Sequence, residues 1–427
     1  MLADLTQSEE TSSLGDEAVG GALRLIRGRV ALNAREAVQA DIEIEDGHIR
    51  SVVEFPSGRE VGTTSHRLAD NSETVDLTGC LILPGLVNAH DHLEFNLFPR
   101  LGHGPYTSVT EWANDIYQPD RSPIREHIAA PKPVRLGWGA LKNLLCGVTT
   151  VCHHNPYEEV FDSGFPVRVV KRFGWTHSLS FGTGVAQAFR KTPTGLPFIL
   201  HLGEGTDARS QEEIFLLDRM GALDSRTVIV HGVGLDSAGH ELVHKRGAAL
   251  VWCPTSNFFT LGKTLEARAV GRHQRIALGS DSALTAQGDL LDELRAAHEH
   301  FQVSSELLYA MVTTGAADVL RLGEGEGSLR KWATADLTVL KWRGDSPADS
   351  LVQASFKEIH AVIVGGRLAL ASPQLAERWP KSALNGLACL LVEGTERWVR
   401  APVEGLIKVS KAYLGESIRL AGKQVSA

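Results

Sequence analysis

Four apolar runs in this chain stop abruptly on residues that bind metal ions. They read Leu86-Val-Asn-Ala-His90-Asp-His92, Phe198-Ile-Leu-His201-Leu-Gly-Glu204, Val228-Ile-Val-His231 and Ile276-Ala-Leu-Gly-Ser-Asp281. Short continuous apolar runs of this kind are written like strands buried on both faces, as in a parallel sheet. Packing alone gives no reason for such strands to end, four times in order, on His or Asp. Parallel strands whose tips converge on one ion do give a reason, and that arrangement can activate water for hydrolysis.

The rest of the chain fits a barrel of this type. Apolar runs at 83–90, 148–153, 166–172, 176–181, 197–203, 227–232, 248–253 and 275–280 alternate with helical stretches such as 133–146 and 286–300. Strand–helix alternation on this scale predicts an α/β fold, a (β/α)8 TIM-like barrel over 83–322. Its spacing is uneven. A barrel of about 250 residues allots roughly 30 to each unit, yet Val148 and Pro197, where three units should fit, are 49 positions apart. The barrel is therefore expected to be contracted around strands 3–4, with one helix missing. The segment 93–132, rich in Phe, Tyr, Trp and Pro, reads as an insertion on the face where barrel loops build sites, either as pocket wall or as a self-packed excursion.

Outside the barrel, alternating strands occur near both ends. Asp46-Gly47 and Gly365-Gly366 sit between apolar runs as hairpin turns do. Neither region is long enough for its own core, so residues 22–82 and 323–427 are expected to form one composite β-sandwich domain with a C-terminal extension. Residues 1–21, polar and Gly/Glu-rich, read as a disordered tail.

Bulk properties narrow the partners. The chain has 427 residues and a formal net charge of −8. No basic stripe stands out, so no nucleic-acid partner is expected. No run of about 18 apolar residues exists, so no membrane partner is expected either. The first residues lack the basic start and apolar core of a signal peptide. Five scattered cysteines without a C-x-x-C pair read as reduced thiols, and the expected location is cytoplasmic.

His90 and His92 lie two apart on a strand, so their imidazoles project to the same side and can chelate one ion. His201 and His231 are thirty positions apart, one strand–helix unit, which places them on adjacent tips. Asp281 follows about two units later. Zinc accepts imidazole and carboxylate ligands together, and a catalytic site keeps one position open for water. Glu204, three residues past His201, is placed to move protons between that water and a leaving nitrogen.

In combination, Pro84-Gly-Leu-Val-Asn-Ala-His90-Asp-His92-Leu, His201-Leu-Gly-Glu204, His231-Gly, Cys253-Pro-Thr-Ser-Asn257 and Gly279-Ser-Asp281-Ser resemble the amidohydrolase superfamily. The likeness is to its mononuclear, deaminase-like branch, which includes cytosine, guanine and S-adenosylhomocysteine deaminases. The resemblance implies a metal-dependent hydrolase acting on C–N bonds other than peptide bonds. It implies His90, His92, His201 and Asp281 as metal ligands, and Glu204, His231 and Asp281 as catalytic groups. The implied cofactor is one divalent metal ion, zinc or alternatively iron. Binuclear relatives usually carry a bridging carboxylated lysine; Lys171 reads instead as a strand-edge lysine.

The implied partner is a small-molecule substrate, with a homodimer as the common assembly of such relatives. Expected substrate contacts are His177, His154 and Trp112. The leading reading is deamination of a purine, pterin, pyrimidine or triazine-like ring. The alternatives are an amide or ring C–N hydrolase resembling imidazolonepropionase and, in another class, a catalytically silent binding or scaffold barrel.

Overall fold

The computed structural model describes residues 22–55, 73–181 and 184–427. The tail expected over 1–21 lies outside the described residues. Eight parallel strands carry the centre of the fold: β1 (Leu86–Asp91), β2 (Val148–His153), β3 (Arg168–Val169), β4 (Gly174–Ser178), β5 (Phe198–Leu202), β6 (Thr227–His231), β7 (Ala249–Trp252) and β8 (Ile276–Leu278). Strands β1–β3 form one sheet and β4–β8 another, each strand parallel to its neighbours. Among the described residues no ladder joins β3 to β4 or β8 to β1. At the second seam the Asp281 main-chain N–H donates to the His90 carbonyl at 3.1 Å.

The contraction expected around strands 3–4 is visible. Strand β3 is only two residues long, and residues 170–173 run on to β4 without a helix. Elsewhere helices return the chain between strands. Ala208–Arg219 is capped by Asp207, whose carboxylate accepts from the Ser210 N–H at 2.8 Å. Ser237–Arg246 begins at Asp236 and stops at Gly247, where φ of +68° suits glycine. The helices expected at 133–146 and 286–300 are Lys132–Leu145 and Leu290–Glu299.

The two chain ends do come together, with two corrections. The expected β-sandwich is one continuous hydrogen-bonded sheet of twelve strands. One physical reason is that Leu23–Ala31 pairs with Ala37–Glu45 on one side and with both Glu73–Asp76 and Cys80–Pro84 on the other, so a single strand joins both sets. A core of Ile42, Ile49, Val75, Ile82, Leu337 and Ile363 fills this region. The run expected as one strand over 83–90 is two. Cys80–Pro84 belongs to the large sheet, antiparallel to Leu337–Lys341, and β1 starts after Gly85. A Cβ at Gly85 would lie 2.3 Å from Thr149 Oγ1, so only glycine allows the corner. Both expected hairpin turns are present, and the Ala335 N–H donates to the Gly47 carbonyl at 2.8 Å beside them.

The C-terminal extension completes the large sheet with four strands and lays helix Val403–Leu414 against helix Lys132–Leu145. Gly137 faces Leu406, and the fully buried Trp138 indole N–H donates to Ser410 Oγ at 2.8 Å. Lys423 reaches Asp289 Oδ2 at 2.9 Å and Asp292 Oδ2 at 2.8 Å. No helix among the described residues is long and apolar enough to cross a membrane.

Trp138 thus joins the extension to the barrel. Replacing it with alanine should cost about 3–5 kcal/mol of stability, measured by denaturant unfolding. A loss under about 1 kcal/mol would mean that the contact adds little beyond what a surface substitution removes.

Candidate metal centre

The strand tips bring the expected ligands within reach of one another. His90 sits near the end of β1, and His92 lies just beyond it on the same side. Nε2 of His201, on β5, is 3.3 Å from Nε2 of His90 and 3.3 Å from Nε2 of His92. Asp281, just past β8, places Oδ1 3.9 Å from His90 Nε2. Two overlapping sets of ligand atoms, His90–His201–His231 and His90–His92–Asp281, each fall within 4.8 Å.

The hydrogen bonds around these rings decide which nitrogens carry lone pairs. His201 Nδ1 lies 2.7 Å from the His177 carbonyl, which can only accept, so Nδ1 is protonated and Nε2 is not. His92 Nδ1 lies 3.2 Å from Asn155 Oδ1, which leaves its Nε2 as a lone pair too. Two lone pairs at 3.3 Å repel unless a cation lies between them. Nitrogens bound to zinc at about 2.0–2.1 Å in a tetrahedron stand about 3.3–3.4 Å apart. The donor set fits a divalent ion of that size.

Electrostatics keep the ligands in the binding form. Burial, with the neighbouring imidazoles, pushes the pKa of His90 and His201 well below the usual histidine range, so both are neutral. Burial opposes ionisation of Asp281, but His231, His92, the Ser256 hydroxyl and the Ser282 N–H outweigh it and hold the carboxyl below its ordinary value. Ser256 Oγ donates to Asp281 Oδ2 at 2.6 Å. Asp281 and His231 both adopt positive φ, +51° and +73°, strained conformations of the kind that collect at functional sites.

His231 Nδ1 pairs with Asn257 Oδ1 at 2.7 Å, and its Nε2 faces Glu204 Oε1 at 3.5 Å. The Glu204 side chain is only 12% exposed. Burial, then the charges of Asp281 and Glu213, push its pKa well above the usual carboxyl range. Its main chain is pinned by the insertion: the Val109 N–H donates to the Glu204 carbonyl at 2.9 Å, and the Thr206 N–H to the Thr107 carbonyl at 2.8 Å. A cavity of about 330 Å³ opens here, lined by Ser108, Asn114, Ser178, His201, Glu204 and Arg209 among others. The 93–132 segment therefore does form pocket wall.

The expected substrate contacts divide. His177 is exposed beside His201, with ring centroids 4.8 Å apart. His154 is buried and stacks on His201 at 4.3 Å, its Nε2 3.2 Å from the Thr176 carbonyl. Trp112 turns away: its indole N–H donates to the Leu101 carbonyl at 2.9 Å, and Thr110 and Glu111 line the cavity instead. Sequence reasoning gave no role to Asn155, Asn257 or Ser256, which orient His92, His231 and Asp281. Only the last two lay in a flagged motif, Cys253–Asn257, which begins helix Pro254–Leu261. His240 is half-buried and pairs with His273 at 2.9 Å. Lys171 pairs with Asp162 Oδ1 at 2.7 Å on the surface, away from any bridging position.

Residues 167–369 match the amidohydrolase family. That match contains His201, Glu204, His231 and Asp281; the histidines of β1 precede it. Over 387 residues the chain is 24% identical to the 5-methylthioadenosine/S-adenosylhomocysteine deaminase of Syntrophobacter fumaroxidans, covering 74% of this chain and 86% of that one. Among solved structures it resembles a zinc-bound adenosine deaminase from Xanthomonas campestris, with TM-score 0.61, 18% identity, and 84% and 94% of the two chains covered. It also resembles the zinc complex of atrazine chlorohydrolase from Arthrobacter aurescens, with TM-score 0.62, 17% identity, and 81% and 95% covered. These amidohydrolase likenesses give the fold as a TIM-barrel-like α/β architecture.

Two outcomes test the centre. Purified protein should hold about one divalent ion per chain, and removing it with a chelator should lower the thermal midpoint until metal is restored. A chain that takes up no metal would contradict the donor geometry. In metal-free protein, Glu204 binds its proton more tightly folded than unfolded. Its contribution to stability is full below its ordinary value of 4.5 and is lost as pH rises toward the higher folded value. Glu204→Gln should flatten the decline in stability seen as pH rises above the ordinary carboxyl value; equal slopes would exclude the raised pKa.

Proposed function

We propose that this chain is a metal-dependent aminohydrolase that removes an amino group from a nitrogen heterocycle as ammonia. The observation that carries this reading is Glu204, a largely buried carboxyl beside the ligand cluster and on the cavity wall. A carboxyl whose pKa is raised by burial can give its proton to a ring nitrogen, which makes the neighbouring carbon electrophilic. His90, His92, His201 and Asp281 would hold one divalent ion, zinc being our choice. Such an ion supplies Lewis acidity and lowers the pKa of water.

The chain's own groups then have distinct tasks. Asp281, kept ionised by its surroundings, accepts a proton from the attacking water. Glu204 protonates the ring nitrogen and regains a proton from the hydroxyl of the tetrahedral adduct, and the proton that Asp281 took from water leaves with the amine as ammonia. His231, its Nδ1–H held by Asn257, offers the Nε2 lone pair to accept a hydrogen bond from the attacking water. His177, His154 and the polar wall from the 93–132 insertion orient the ring. The substrate is a small molecule, and the eight parallel strands act as one barrel with 22–82 and 323–427 as the second domain.

A panel of aminated purines, pterins, pyrimidines and triazines should yield ammonia with at least one member, and Glu204→Gln should reduce that turnover by about 10²–10⁴-fold while keeping its metal. Absence of ammonia across the panel, with ring opening of a lactam instead, would favour the amide-hydrolase alternative.

A further inference from the structure

Behind the ligand cluster lies a buried charge pair that the proposed chemistry does not use. Asp91 stands between the two histidines of β1. Successive residues on a strand point to opposite faces, and Asp91 meets helix Lys132–Leu145 rather than the other ligands. Lys142 Nζ is 3.1 Å from Asp91 Oδ2, and both side chains are essentially inaccessible, 1% and 0% exposed. Asn143 Nδ2 donates to Asp91 Oδ2 at 2.7 Å, and Asn96 Nδ2 to Oδ1 at 2.9 Å. The Lys142 ammonium also spends its three N–H bonds on Asn96 Oδ1 at 2.9 Å, Ser280 Oγ at 3.0 Å and the main-chain carbonyl of Asp281 at 2.8 Å.

We propose that Lys142 is a positioning residue for the metal ligands, tying the Asp281 main chain to the strand that bears His90 and His92. The proposal rests on the reading of these residues as ligands. Its physical ground is the seam between β8 and β1, which no ladder closes. There Asp281 lies beyond the last hydrogen-bonded residue of β8 and in a strained conformation. Beside one main-chain bond, from the Asp281 N–H to the His90 carbonyl, side-chain chemistry crosses the seam: the Ser280 N–H donates to Asn88 Oδ1 at 3.1 Å, Asn88 Nδ2 to Ser280 Oγ at 2.8 Å, and Lys142 joins this pair to Asp91.

Stability is a weak explanation for the pair. Desolvation largely offsets the attraction of buried opposite charges, and packed apolar residues of similar volume hold helix to sheet as well. An apolar pair could not grip the carbonyl of residue 281 and the carboxylate of residue 91 at once. The ammonium does so while also bonding Ser280.

The test is metal affinity, measured by chelator competition on the full chain and independent of any substrate. Lys142→Met leaves a buried carboxylate unpaired and can fail to fold, so the double variant Asp91→Asn/Lys142→Met removes both charges together. Ser280→Ala supplies a milder change that touches no charge. The double variant should raise the metal Kd by about 10- to 100-fold, the range typical of lost outer-shell support, with turnover recovering in excess metal. Ser280→Ala should weaken binding in the same direction by a smaller factor. A purely structural pair would lower the unfolding midpoint and leave the metal Kd alone. Unchanged Kd in any folded member of the set overturns the proposal, even if deamination is confirmed. A wild-type chain that binds no divalent ion overturns it together with the ligand assignment.

Discussion

The lone pairs of His92 and His201, turned toward each other at 3.3 Å, set the terms for the structure around them. Such an arrangement persists only if each imidazole is prevented from rotating away. Every ligand ring or carboxylate with a fixed orientation is held from a different part of the chain. Asn155 follows β2, the His177 carbonyl belongs to β4, and Ser256 opens the helix after β7. The candidate site thus draws on residues from both parallel sheets, and no single segment carries it. Its outer shell is as specific as its ligands, as metal sites generally require.

Charge is distributed in the same spirit. His90 and His201 are buried among the neighbouring imidazoles, so protonating either is disfavoured, and both stay available as neutral donors. Two carboxyl groups a short distance away take opposite forms. Asp281 is surrounded by hydrogen-bond donors and ionises; Glu204, with burial and two nearby carboxylates against it, keeps its proton. Paired acids driven apart by their surroundings are what proton-transfer chemistry needs. The insertion after β1 contributes by holding the Glu204 backbone and walling the cavity.

The proposed ligands were legible in the sequence because they obey a simple rule: apolar strands, period two, polar tips. The short third unit was legible from spacing alone. Other features depended on contacts with no local signature. Lys142 lies in a helix whose polar residues would ordinarily face water; it is buried because the sheet covers one side and the C-terminal helix another. Asp91 is overshadowed by the histidines flanking it. Trp112 was expected to contact substrate, but a nearby carbonyl captures its N–H. The twelve-stranded sheet was read as two layers, since alternation reveals a buried face without revealing how many sheets share it.

Strand Cys80–Pro84 immediately precedes the first barrel strand, yet it pairs with Leu337–Lys341, some 250 positions later in the chain. On a ribosome, the first half of the barrel emerges long before the strand that anchors its base. Loop closure over that distance is entropically costly and comes late. Until then the edge of Cys80–Pro84 stays open to pairing with other chains. Closing this part of the sheet therefore waits for residues 337–341, and nascent chains cut short before residue 337 carry the aggregation risk.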